Sequence, residues 1–211
     1  MNDYILRTVK VGFMNTNCYI LKSKTSENAI VIDPGEDAIK IKSVLRDMDA
    51  KCILILLTHG HFDHILGVEN MRTTRAKVAI HELDAHSLTE KDVFSSIIPK
   101  DDRPFAPADI LFTEEGDYKA EEFTFSLIHT PGHTEGSVCY VFDDIIFTGD
   151  TLFKNAIGRT DFSGSDPEKM IRSLKRLYDL PGDYGIYPGH EEKTVLSDER
   201  KYNPYMKMFR N

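Results

Sequence analysis

Apolar and polar positions follow two periods along the chain. Short runs rich in β-branched and aromatic residues, YILRTVKV at 4–11, NCYILKS at 17–23 and NAIVID at 28–33, have strand length, and the last runs into a Pro-Gly turn. Between Asp37 and Met48, Ile39, Ile41, Val44, Leu45 and Met48 recur at helical spacing. CILILL at 52–57 shows no alternation and predicts a strand buried on both faces. ILGVENMRTT (65–74) and ELDAHSLTEK (82–91) predict helices, with the strand KVAIH (77–81) between them. From Ser95 to Ala108 the chain is rich in charge and carries Pro99, Pro104 and Pro107, which predicts a loop crossing between two halves. Strand patterns resume with ILFT (110–113), GDYKA (116–120), FTFSLIHT (123–130), SVCYVF (137–142) and DIIFTGD (144–150). DPEKMIRSLKRLYDL is an amphipathic helix with Asp166 as N-cap and Pro167 in its first turn, and YGIYPGH is a last strand and loop. Strands this apolar need cover on both faces, which two sheets packed face to face with helices outside would supply.

Composition narrows the class. A chain of 211 residues with 41% hydrophobic content suits one large globular domain, taken here as 1–211. The net charge of −8, with no segment concentrating Lys and Arg, argues against a nucleic-acid partner. The start shows no signal-peptide pattern, and the longest apolar run, Cys52 to Leu57, is far too short to span a bilayer. Cys18, Cys52 and Cys139 are odd in number and far apart, as expected of reduced, buried thiols in a cytoplasmic protein.

The chemistry concentrates where the apolar run 52–57 ends. His59, His61, Asp63 and His64 lie within six positions, in the order H-x-H-x-D-H. Imidazole and carboxylate are ligands for a borderline divalent metal. Four such groups exceed what an open catalytic ion takes from one segment, which suggests two ions sharing the loop. A lone histidine is more often a surface or core residue, but this cluster has company. His133 sits in the Pro-Gly turn of TPGHTEGS, Asp150 ends DIIFTGD, and His190 sits in the Pro-Gly turn of YPGHEE. Each is a ligand type at a strand end, where α/β enzymes commonly place their chemistry.

The set THGHFDH, HTPGHTEGS, TGDTLF and YPGH resembles the metallo-β-lactamase superfamily. GDTLFKNAIGRTDFSGSD and YPGHEEKTVLSDERKYNP resemble its glyoxalase II-like hydrolases. The resemblance implies a four-layer αββα sandwich, two packed mixed β-sheets with helices on the outer faces. It implies that His59, His61 and His133 hold one divalent ion, that Asp63, His64 and His190 hold a second, and that Asp150 bridges them. Zinc is the first expectation, with iron and manganese compatible with the same donors. The implied activity is dinuclear hydrolysis of a thioester, S-lactoylglutathione or a related acyl thiol, or of an ester, by a metal-bridging hydroxide. Asp63 would orient that hydroxide and carry a proton.

Smaller expectations attach to other residues. Asp33, in VIDPG, matches a family Asp that would hydrogen-bond a ligand histidine, and Thr58 and Thr148 would give similar support. His129 reads as a satisfied core histidine, and His81 and His86 as surface or capping residues. Arg159 falls where glyoxalase II enzymes carry a basic residue that reaches the glutathione part of the substrate; an internal salt bridge to Asp161 is the structural alternative. Standard glyoxalase II enzymes grip the thiol carrier with a further C-terminal helical region, which is lacking after NPYMKMFRN, so an open cleft is expected. A mononuclear iron persulfide dioxygenase on the same fold, and a non-catalytic metal-binding domain, are the competing readings. The partner in either enzymatic case is a small molecule, with neither nucleic acid nor membrane involved.

Overall fold

The computed structural model describes residues 3–91, 98 and 101–210. It falls into two compact units, Met1–Thr113 and Glu114–Asn211.

In the first unit the strands are β1 (Tyr4–Val11), β2 (Thr16–Ser23), β3 (Asn28–Ile32), β4 (Lys51–Leu56), β5 (Lys77–His81) and β6 (Ile110–Phe112). They form one mixed sheet in sequence order, antiparallel through β3 and parallel from β3 to β6. All of β3 and the last four residues of β4 are buried, as an apolar run without alternation requires. Helix α1 (Ala38–Asp47) buries Ile41 and Leu45. Ile39, which shares the helical spacing, is 83% exposed. Two residues correspond to about 200° of helical rotation, which carries it away from Ile41.

Three expectations change here. The predicted helix 65–74 is two short ones, α2 (Phe62–Ile65) and α3 (Val68–Met71). Gly67 separates them, and its N–H donates to the Gly35 carbonyl. A Cβ on Gly67 would lie 1.9 Å from the Pro34 carbonyl oxygen, so tertiary contact sets the backbone at this point. The predicted helix 82–91 is a 3-10 turn at Glu82–Asp84 followed by α4 (His86–Thr89). ILFT does not open the second half: β6 pairs in parallel with β5, Ala79 opposite Ile110, and belongs to the first sheet. Of the predicted crossing loop, Pro99 and its neighbours 95–97 and 100 lie outside the described residues. The part from 101 folds back on the first unit, with Phe105 N–H donating to the Leu88 carbonyl at 2.8 Å and Arg103 paired with Asp101 at 2.7 Å.

The second unit carries β7 (Gly116–Ala120), β8 (Phe123–His129), β9 (Val138–Phe142), β10 (Ile145–Gly149), β13 (Gly185–Pro188) and β14 (Thr194–Val195), in the order β14-β13-β10-β9-β8-β7. Only β10 and β13 pair in parallel. A small hairpin, β11 (Leu152–Phe153) and β12 (Ala156–Ile157), forms a sheet of its own, with Leu152 buried in the core of this unit. Helix α5 (Pro167–Tyr178) starts as predicted: the Asp166 carboxylate accepts from Lys169 N–H at 2.9 Å, and Pro167 needs no acceptor. Its Met170, Leu174 and Leu177 pack with Cys139, Ile146 and Ile186, joined by Leu196 of α6 (Leu196–Tyr202) and by Met206. Among the described residues no helix is long and apolar enough to cross a membrane.

Candidate metal centre

Each candidate ligand stands just past a strand end. In the first unit β4 delivers the chain to Thr58–His64; in the second, His133, Asp150 and His190 follow β8, β10 and β13.

In the first unit the three imidazoles crowd together. The His59 ring centre lies 4.9 Å from that of His61 and 4.1 Å from that of His64. Asp33 organises two of them. It is 1% exposed and adopts a left-handed backbone, φ 49°. One of its oxygens accepts from Thr58 N–H at 2.8 Å; the other accepts from the Thr58 hydroxyl at 2.7 Å and meets His64 Nδ1 at 3.0 Å. Because the Thr58 proton is committed to Asp33, its oxygen accepts from His59 Nδ1, 3.1 Å away. The carboxylate thus puts the proton of both imidazoles on Nδ1 and leaves each Nε2 with a lone pair for a cation. The hydrogen bonds expected of Asp33 and Thr58 toward these histidines are present.

Asp63 accepts from the Thr16 hydroxyl at 2.8 Å and lies 3.4 Å from His64 Nε2. Gly60 N–H donates to the buried Asp84 carboxylate at 2.8 Å, and a Cβ on Gly60 would meet Ser87 Oγ at 2.4 Å. No motif or spacing in the sequence marks Thr16 or Asp84.

In the second unit, Asp150 Oδ2 stands 3.5 Å from His133 Nε2 and 3.6 Å from His190 Nε2. His133 Nδ1 donates to the Arg159 carbonyl oxygen at 2.8 Å, so in the neutral imidazole Nε2 is the nitrogen that presents a lone pair to the carboxylate. A lone pair facing an anion is repulsive unless a cation lies between them. Two donors bound at about 2.0–2.1 Å to one tetrahedral ion stand about 3.3 Å apart. The observed separations fit that figure better than the roughly 2.7–2.9 Å of a charged hydrogen bond. The donor set therefore fits divalent cations, with one Asp150 oxygen placed near both histidines.

The backbone around these candidate ligands is tightly specified. A Cβ on Gly158 would fall 1.8 Å from the Asp150 carbonyl oxygen and 3.2 Å from His133 Nδ1. The His133 turn is tied to the start of α5: Asp166 N–H donates to the Gly132 carbonyl at 2.8 Å, and the Ser165 hydroxyl to the His133 carbonyl at 2.7 Å. Farther along, the buried Glu199 carboxylate accepts from Asn155 N–H, the Asn203 amide and the Thr194 hydroxyl, each at 2.8 Å. Asn203 also donates to the Ala156 carbonyl at 3.0 Å. The hairpin between Asp150 and Arg159 is thereby fastened to α6, which gives a structural reason for the SDERKYNP stretch.

The remaining residues fall into place. The Thr148 hydroxyl donates to the Leu152 carbonyl at 2.8 Å, a support for the Asp150 turn. His129 is half-buried and its Nε2 lies 2.8 Å from the Glu135 carbonyl oxygen. His81 is buried and caps the 3-10 turn through Leu83 N–H at 3.3 Å, while His86 is exposed. The Arg159 guanidinium meets Asp161 through two hydrogen bonds, the internal pairing weighed above.

The comparisons with known proteins agree with this picture. The metallo-β-lactamase superfamily pattern matches residues 11–190. The hydroxyacylglutathione hydrolase GloC of Haemophilus influenzae is 31% identical over 212 aligned positions, covering 95% of this chain and 97% of its own. The crystal structure of BLEG-1, a B3 metallo-β-lactamase, superposes with a TM-score of 0.88 at 34% identity, covering 96% of this chain and 99% of that one. The structure of TTHA1623 in a di-iron-bound form gives a TM-score of 0.82 at 32% identity, covering 94% and 99%. The two mixed sheets with their helices are the metallo-β-lactamase fold, and the clustered His and Asp side chains are of the types that hold a divalent metal. The chain belongs to the metallo-β-lactamase superfamily.

Proposed function

We propose that the chain, acting as one functional domain over 1–211, is a dinuclear metal-dependent thioesterase of the glyoxalase II type. His59, His61 and His133 would hold one ion, Asp63, His64 and His190 the other, with Asp150 shared. The observation that carries the reading is the position of Asp150 Oδ2, 3.5 and 3.6 Å from two histidine nitrogens that the proposal assigns to different ions. The GloC relative, named a hydroxyacylglutathione hydrolase, supports the substrate class. The di-iron form of TTHA1623 supports a two-ion centre and keeps iron beside zinc as its metal.

Bound divalent cations would supply an activated water near neutral pH and a Lewis acid for the carbonyl oxygen. The chain's own groups do the rest. Asp33, through Thr58 and His64, fixes the imidazole tautomers. Thr16 holds Asp63 by its Oδ2, which keeps that carboxylate in one orientation to align the nucleophile and to take its proton. A thiolate leaves without help from a general acid, so no further acid is required.

The test is metal analysis of the purified protein with parallel assays of S-lactoylglutathione hydrolysis, nitrocefin hydrolysis and glutathione-persulfide-dependent oxygen consumption. The proposal expects thioester hydrolysis to exceed the other two activities. Oxygen uptake with one iron per chain would select the persulfide dioxygenase reading, and nitrocefin turnover alone would select a β-lactamase.

A further inference from the structure

Arg159 is anchored by its backbone, since its carbonyl accepts from His133 Nδ1 at 2.8 Å. Its side chain lies over the Phe162 ring, 4.2 Å from Cζ to the ring centre, and that ring lies 6.2 Å from the His133 ring centre. The guanidinium therefore sits no more than about 10 Å from the His133 ring centre, a distance that about three extended residues span. Nε and Nη2 donate to the two Asp161 oxygens at 2.9 and 2.7 Å. This is the two-donor fork by which arginine recognises a free carboxylate.

A structural purpose for the pair is hard to find. The segment is already held by the Arg159 carbonyl, by Ser165 Oγ on the His133 carbonyl, and by Asp166 N–H on the Gly132 carbonyl. None of these bonds uses the arginine side chain. Both partners are 65% exposed, and exposed pairs contribute little to stability.

We infer that Asp161 is an internal stand-in for a substrate carboxylate: it fills the Arg159 fork in the free enzyme and is displaced by a carboxylate-bearing acyl thiol. The inference rests on the thioesterase reading, with Arg159 as the carboxylate subsite. The exchange conserves charge and hydrogen bonds, and Phe162 keeps the guanidinium plane in place when Asp161 swings away. Asp161 competes with any anion at the fork, and a substrate carboxylate displaces it because it offers the same two-point geometry. Neutral thioesters gain nothing from its departure.

The test uses the metal-loaded enzyme and two readouts. Binding of the non-hydrolysable S-hexylglutathione is measured by calorimetry for wild type, Asp161→Asn, Arg159→Ala and the double variant. Hydrolysis of S-lactoylglutathione is compared with that of the uncharged S-acetyl-N-acetylcysteamine. Asp161→Asn is expected to bind about threefold more tightly, within the range an exposed pair allows. It should lower KM for S-lactoylglutathione alone, with metal content and Tm unchanged. The double variant should bind as Arg159→Ala does, because Asp161 acts only through the fork. Equal or weaker binding by Asp161→Asn, or equal effects on both thioesters, overturns the inference. If wild type hydrolyses neither thioester but the binding ratios hold, the thioesterase reading falls and the exchange stands. If binding is flat while hydrolysis persists, the exchange falls and the function stands.

Discussion

Asp33 shows how much one side chain can determine. It accepts from Thr58 twice and from His64 once, and through Thr58 it also reaches His59. Asp33→Asn keeps the shape but turns one acceptor into a donor facing a donor. Metal affinity should fall about 10- to 100-fold, the usual cost of losing such a support, measured by chelator competition. Asp150→Asn should lose mainly the second metal and most turnover, because a shared carboxylate offsets the repulsion of two cations. Cys139→Ser should be far milder, since that buried thiol lies in the core; equal loss in two folded variants would count against the Asp150 assignment. Asp33 was legible through its resemblance to a family Asp in VIDPG, since its place at a strand end before Pro-Gly fits a turn-capping Asp equally well. Thr16 and Asp84 were not: they bond residues 47 and 24 positions away, and no spacing rule in a single sequence reports such a contact.

At the scale of elements, the longer strands were legible, while the short helices and the two-residue strands β11, β12 and β14 were not. KVAIH and YILRTVKV have the bounds that β propensity and turn residues assign. The stretch 65–74 carries a helical pattern, yet the close approach of Gly67 to Pro34 breaks it, and sequence period does not record backbone contact. ILFT reads as a strand, but nothing local says which sheet it joins. The glycines make a sharp comparison. Gly158→Ala would drive a Cβ into the Asp150 carbonyl, whereas Gly164, at φ 85°, has nothing within 4 Å of its Cβ position. Gly164→Ala should cost about 1–2 kcal/mol, from backbone strain alone. Gly158→Ala should cost more and should also reduce metal content, read by urea denaturation and metal analysis. Similar losses at the two positions would remove the case for Gly158 as a packing constraint on the site.

For the whole molecule, two metals per chain are expected under metal-replete conditions, and content that stays near one would sink the dinuclear mechanism. Stability should also depend on pH through the thiols. Burial pushes Cys139 up to about 11 and Cys52 up to about 12, and raises Cys18 as well. Above about pH 9 the unfolded chain loses these protons while the folded chain keeps them. The unfolded state then binds fewer protons, so stability falls as pH rises toward 11–12 and is fully present below 9. The urea midpoint should drop between pH 8 and pH 10, and less steeply in Cys139→Ala. The α6 clamp has a consequence for the order in which the protein is made. Glu199 and Asn203 close the hairpin between Asp150 and Arg159, yet they are synthesised after every proposed ligand. A nascent chain that has just emerged as far as His190 holds the whole donor set without the strap that spaces it. Chains stalled with residue 190 outside the ribosome should therefore take up zinc more weakly than chains in which residues 191–210 have also emerged, and equal uptake would show that the strap is dispensable for capture.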